Sequence, residues 1–262
     1  ELIRSLTSLE AQPADPADGP AYVNWKDALG KLRGRLRARI LAALKRARLA
    51  AMTTARALMA ARDLKDTGAY DLIVFDEASQ VSLVHALALL PLARRALFAG
   101  DPRQLAPVVK SSSHGPAAQW LGRTAFDVVP EGAATVFLDE QSRMAEPICR
   151  LVSGAFYEGR LRVACDALAD DAWRAERAGG GVRVEAVGSP ALWSPLYQGL
   201  VREESAQAIA ALMPALLAET PAGQIAVVTP YRAQRARVEH LLRQQGCRGV
   251  LVTTAHAVQG SE

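Results

Sequence analysis

Cysteine is scarce in this chain, aromatic residues are few, lysine is largely displaced by arginine, and no apolar run is long. Cys149, Cys165 and Cys247 stand far apart without a CxxC pair, so neither a zinc site nor a disulfide framework is indicated, and ordinary reduced thiols are expected. Every long apolar run is broken by Arg, Asp or Pro before membrane-spanning length. The first residues also lack the basic, apolar, small-residue order of a signal peptide, so a cytoplasmic protein is expected. Lysine occurs only at 26, 31, 45, 65 and 110, and arginine supplies almost all of a net charge of +4 and a pI near 9.2. That balance fits a polyanion partner, but coding bias yields an Ala- and Arg-heavy chain equally well. The 262 residues suffice for one large domain or two modest ones. Beginning at Glu1 and stopping at Glu262 straight after a strand-like run, they read as a piece of something longer.

The informative stretch is Tyr70 to Gln80, YDLIVFDEASQ. Leu72, Ile73, Val74 and Phe75 form an unalternating apolar run, the signature of a strand buried on both faces of a parallel sheet. It stops at Asp76 and Glu77, where open α/β sheets place their ligands. This is a Walker-B reading: one carboxylate holds Mg2+, commonly through water, and a second orients and deprotonates the water attacking a γ-phosphate. The plainer alternative is a strand followed by acids that favour a helix N-terminus.

Either side of it, strand, polar loop and helix alternate. Residues 25 to 49 are predicted helical, with Leu29, Leu32, Leu36, Ile40 and Leu44 on one face and a run of Lys and Arg on another; that basic face either grips phosphates or is simply solvated. Strands are expected at 49–54, 72–75, 94–100, 133–138, 182–187, 224–229 and 250–254. Helices are expected at 81–92, 119–128, 146–157, 203–217 and 232–244. Residues 164 to 181 read as a variable surface segment. Thr53 and Thr54 end one expected strand or merely cap the next helix. The class is α/β with parallel sheets.

DEASQ at 76–80, GDPRQL at 100–105, LDEQSRM at 138–144, FYEGRL at 156–161, VTPYRAQ at 228–234 and TTAHAVQGSE at 253–262 resemble, in order, motifs of superfamily-1 helicases, most closely the Upf1-like (DNA2/NAM7-like) group. The resemblance implies two RecA-like P-loop NTPase domains, both incomplete, at 1–137 and 138–262. ATP and Mg2+ are the implied cofactors, and single-stranded DNA or RNA the implied partner. It makes Asp76 the magnesium-organising acid, Glu77 the acid that activates water, and Gln104 the γ-phosphate sensor. Arg143 matches an arginine that reaches the γ-phosphate from the second domain, a device that supplies about 10³ to 10⁵ in rate. Gly100, Asp101, Gln141, Arg202, Gly260 and Glu262 fall in segments that line the nucleotide, Glu262 meeting its ribose. Thr53, Thr54, Tyr231, Thr254 and His256 fall in segments that lie on nucleic acid.

The sequence departs from the pattern at Ser142, where the group usually has Tyr, at Ala145, usually His, and around Arg202, where Val201 and Ser205 dilute the motif. No GxxxxGK[ST] occurs in these residues; the family carries that phosphate loop upstream of the segments found here and its last arginine motif downstream. The expected function is an ATP-dependent helicase or translocase, moving mostly five-prime to three-prime by analogy, represented by a piece inactive on its own. The alternative is a non-catalytic nucleic-acid-binding scaffold of the same fold, against which the joint presence of Asp76, Glu77, Gln104 and Arg143 counts.

Overall fold

The computed structural model describes residues 1–65, 70–109, 115–129 and 134–259, and divides into two compact units, Glu1–Val136 and Phe137–Glu262. Gly260 and Glu262 lie outside the described residues, as does most of the expected loop at 110–117. The architecture is mixed α/β, with small parallel sheets.

The first unit opens with α1 (Leu2–Ala11) and α2 (Gly19–Arg46), which pack as a helical pair. Trp25 Nε1 donates to the Leu9 carbonyl at 2.9 Å and Arg33 pairs with Glu10. Arg37 makes a two-point bond with Asp63 on α3 (Thr54–Lys65). Two cations of the basic run are thus used between helices, while Lys31, Arg35, Arg39 and Arg46 recur along one face at helical spacing with no acid partner among the described residues.

Next, β1 (Tyr70–Phe75) pairs in parallel with β2 (Ala93–Phe98) through α4 (Leu83–Leu89), and α5 (Pro116–Leu121) follows. Phe75, Ala78, Val81, Ala86, Leu89 and Leu92 close a core with Leu64. The expectation that β1 is buried on both faces is corrected: Ile73 and Phe75 face this core, whereas Leu72 and Val74 alternate outward and Val74 is 52% exposed. Among the described residues its sheet has two strands and one covered face.

The second unit contains β3 (Glu140–Gln141), α6 (Glu146–Phe156), β4 (Arg162–Val163), α7 (Cys165–Ala169), α8 (Asp171–Glu176), the antiparallel hairpin β5 (Leu192–Ser194) and β6 (Gly199–Val201), α9 (Glu203–Glu219), β7 (Ala226–Thr229), α10 (Arg232–Gln244), β8 (Leu251–Thr254) and α11 (Ala255–Val258). β7 and β8 are parallel, and α9 and α10 cover them through Ala206, Ala210, Met213, Val238 and Leu242. A smaller core of Cys149, Val163 and Ala167 joins β4, α6 and α7.

Several expected elements do not form. Residues 49–53, 134–138 and 182–187 are not strands, because no strand of the described residues runs beside them to take their backbone groups; Val136 is 83% exposed. The helix expected over 119–128 breaks after Leu121. There the Leu83 N–H takes the Arg123 carbonyl at 2.6 Å, and a Thr124–Asp127 capping box starts a separate 3-10 turn. The segment at 164–181 is not bland: it forms α7 and α8.

Candidate active site

At the carboxyl edge of the first sheet two loops lock together through their backbones. Phe75 and Phe98 are register partners with stacked rings 4.9 Å apart. Beyond them the Ala99 N–H donates to the Phe75 carbonyl at 2.9 Å and the Ala78 N–H to the Ala99 carbonyl at 2.8 Å. The chain leaving β1 therefore folds back over the end of β2, and Gly100 is the point of closest approach. A Cβ there would lie 2.7 Å from Ala78 N and 3.1 Å from Ser79 N.

This crossing aims the polar groups. Asp76 Oδ1 accepts the Glu77 N–H at 3.0 Å, and Glu77 adopts a left-handed conformation at φ 50, ψ 44. A non-glycine residue holds that conformation only where its surroundings impose it. Here they do: the Glu77 carbonyl takes the Gln80 N–H at 2.8 Å, starting a 3-10 turn whose Ala78 and Ser79 are buried. Both carboxylates are exposed, and Asp76 Oδ2 has no protein partner among the described residues. In the neighbouring loop Asp101 accepts the Arg103 N–H through Oδ1 at 2.9 Å and Gln104 Nε2 through Oδ2 at 3.0 Å. Asp101 thereby holds the Gln104 carboxamide with its Oε1 turned away from the bond.

Among the described residues no group of three or more His, Cys, Asp or Glu surrounds a metal-sized space. The donor set nevertheless fits magnesium: a hard cation that keeps several waters needs only one or two carboxylates when phosphate oxygens supply the rest.

In the second unit Gln141 turns inward. Its Oε1 accepts the Arg143 N–H at 2.9 Å and the Met144 N–H at 2.7 Å, and its Nε2 donates to the Met144 carbonyl at 3.1 Å. The carboxamide shapes the loop that carries Arg143. Two residues that the motifs did not point to hold the same loop from outside: Trp173 Nε1 donates to the Ser142 carbonyl at 2.5 Å and Arg177 Nε to the Arg143 carbonyl at 2.9 Å. A lone Trp in an otherwise polar stretch was the only sequence signal for them.

Arg202 caps α9, and its backbone N–H and carbonyl are both bonded by the buried Gln234 amide at 2.8 and 3.1 Å. Beside it Glu203 and Arg237 form a two-point pair. The hydrogen bond from Arg237 holds the Glu203 carboxyl below its usual range, and that pairing raises Arg237 in turn. Thr229 and Thr254 are partners at the carboxyl ends of β7 and β8. Tyr231, 54% exposed, follows the first and His256, also exposed, the second, so Tyr231, Thr254 and His256 share one sheet edge. Thr53 caps α3, its Oγ1 accepting the Arg56 N–H at 3.3 Å, and Thr54 begins that helix. Neither ends a strand, and no hydrogen bond among the described residues ties them to the Asp76 or Asp101 loops.

Two family models, each described as an AAA domain, match residues 121–262 and 36–176, each more than half of the chain. The chain belongs to the AAA-domain proteins of the Upf1-like superfamily-1 helicase group. Among this group it is similar to the human 3'-5' exoribonuclease HELZ2, 32% identical over 215 residues, covering 72% of this chain and 7% of that protein. It is 32% identical to yeast Helicase SEN1 over 97 residues, 36% of this chain and 4% of that one. It is 38% identical to the DNA replication ATP-dependent helicase/nuclease DNA2 of Xenopus laevis over 100 residues, 37% of this chain and 9% of that one. The chain thus spans less than a tenth of the length of these relatives. No described helix is long and apolar enough to cross a membrane.

Proposed function

We propose that this Upf1-like chain supplies two RecA-like halves of an ATP-driven motor on single-stranded DNA or RNA, with ATP and Mg2+ at the Asp76 edge. The observation that carries the reading is the Gly100 crossing, which joins the loop bearing the acid pair to the loop bearing the tethered glutamine at neighbouring strand ends. The names of SEN1 and DNA2 include helicase, and ATP dependence for the latter, and support the same class. The nuclease activities in the names of DNA2 and HELZ2 are not carried over, because the likeness covers so little of those proteins.

Asp76 would hold the magnesium ion through Oδ2 and water, and the ion would supply positive charge against the phosphates. Glu77, projected by its left-handed backbone, accepts the proton of the attacking water. Gln104, steadied by Asp101 through one amide hydrogen, offers Oε1 to that water as acceptor and its second Nε2 hydrogen to a γ-phosphate oxygen, so that its position depends on what is bound. Arg143 neutralises charge on the transferring phosphoryl group. Tyr231, Thr254 and His256 give the second unit an edge on which a base stacks and a backbone phosphate is bonded.

The test uses the full-length protein that contains these residues. Glu77→Gln should abolish strand-stimulated ATP turnover while nucleotide binding persists. Wild-type turnover in that variant would show that water is activated elsewhere and would remove the assignment.

A further inference from the structure

We infer that Trp173 and Arg177 are positioning residues that fix the aim of Arg143, an inference that rests on the finger role proposed for that arginine. Arg143 sits in a loop without secondary structure, between β3 and α6, where no ladder holds the backbone. Side chains do so instead. Its N–H is taken by Gln141 Oε1 at 2.9 Å and its carbonyl by Arg177 Nε at 2.9 Å, and the carbonyl before it, of Ser142, by Trp173 Nε1. Consecutive carbonyls and the intervening N–H are thereby held from both sides, and the direction in which the guanidinium leaves the loop follows from that backbone.

The clamp is itself anchored. The Trp173 ring packs with Met144 against the core of Cys149, Val163 and Ala167, and the Asp170 carboxylate caps α8 by accepting the Ala172 and Trp173 N–H groups. The Arg177 guanidinium lies 4.7 Å from the Trp173 ring centroid, and its Nη1 is bonded by Glu176. Stacking and ion pairing leave Nε fixed toward the loop. At Gly180 the same segment passes so near the motif that a Cβ would lie 2.6 Å from the Ala145 Cβ. This is a supporting shell of the kind that a reacting group needs, since displacement by about 1 Å removes roughly 10²-fold in rate.

The experiment compares Arg143→Ala, Arg177→Ala, Trp173→Phe and the double variant Arg143→Ala/Arg177→Ala in the full-length protein. It measures kcat and KM for strand-stimulated ATP turnover together with melting temperature. Trp173→Phe keeps a ring in the core and removes only the N–H donor, so it remains informative if Arg177→Ala folds poorly. Positioning predicts that both single clamp variants lower kcat about tenfold or more with KM and melting little changed. Arg177→Lys, which can still donate to a carbonyl, should recover part of the loss. The double variant should be no slower than Arg143→Ala alone, because a misplaced side chain that is absent has nothing further to lose. If Arg143→Ala slows turnover while the clamp variants do not, or if the losses multiply, the positioning role is overturned. Unchanged turnover in Arg143→Ala would instead overturn the finger reading beneath it.

Discussion

The Gly100 Cα hydrogen that a side chain would replace points at the backbone nitrogen of Ala78, and a methyl group in its place would lie 2.7 Å from it. The glycine is thus required by the join between the two loops, whatever else it touches. Gly100→Ala should push them apart and lower stability by about 1–3 kcal/mol, the usual cost of forcing a methyl into a packed place. Thermal melting of the variant measures this, and an unchanged melting temperature would mean that the loops part freely.

Gln104 depends on Asp101 in the same way that an oriented ligand depends on its supporting shell. Asp101→Ala should lower turnover in the full-length protein by roughly ten- to a hundredfold through loss of orientation, with nucleotide affinity nearly kept. A steady-state comparison with Gln104→Ala decides the point: the two losses should not multiply.

The pairing of Glu203 with Arg237 depends on pH with a definite sign. The folded carboxyl titrates below its ordinary value of 4.5, so its contribution to stability is present above that value and fades as pH falls through the lower, folded one. Both side chains retain solvent contact, which limits the contribution to about 1 kcal/mol or less. Glu203→Gln should therefore lower the melting temperature slightly at neutral pH and not at all once the wild-type carboxyl is protonated. An equal difference across that range would remove the linkage.

The stripe of Lys31, Arg35, Arg39 and Arg46 on α2, which has no acid partner among the described residues, bears on nucleic-acid binding. Replacing all four by Ala should reduce the slope of log affinity for single strands against log salt by about 3, at ~0.7 per released counterion. Anisotropy titrations at several salt concentrations give the slope. An unchanged slope would assign this face to hydration alone.

These 262 residues contain no GxxxxGK[ST] sequence. Expressed by themselves they should show no measurable ATP turnover, because positioning of the phosphates is most of what such enzymes contribute. Turnover by this chain that Glu77→Gln removes would place the phosphate site within it.

Local pattern determined much of this protein. The apolar runs expected as strands at 72–75, 94–100, 224–229 and 250–254 form β1, β2, β7 and β8 with ends shifted by up to two residues, and the period of α10 is realised over Arg232–Gln244. The polar residues that end those runs stand at strand ends, since a strand's direction and the place where its apolar run stops are written in consecutive residues. What depends on distant partners was decided only in three dimensions. Val136 lies in an apolar run that finds no neighbouring strand among the described residues, and Leu72 and Val74 lie on a face that nothing described covers. Gln141 turns its amide into its own loop, while Trp173 and Arg177 reach back 31 and 34 residues to hold the loop that bears Arg143. Such bonds join backbone carbonyls, which carry no side-chain signature, to a segment whose composition is that of an ordinary surface. Which donors meet which carbonyls is settled by packing, here by the seating of Trp173 on the Cys149, Val163 and Ala167 core.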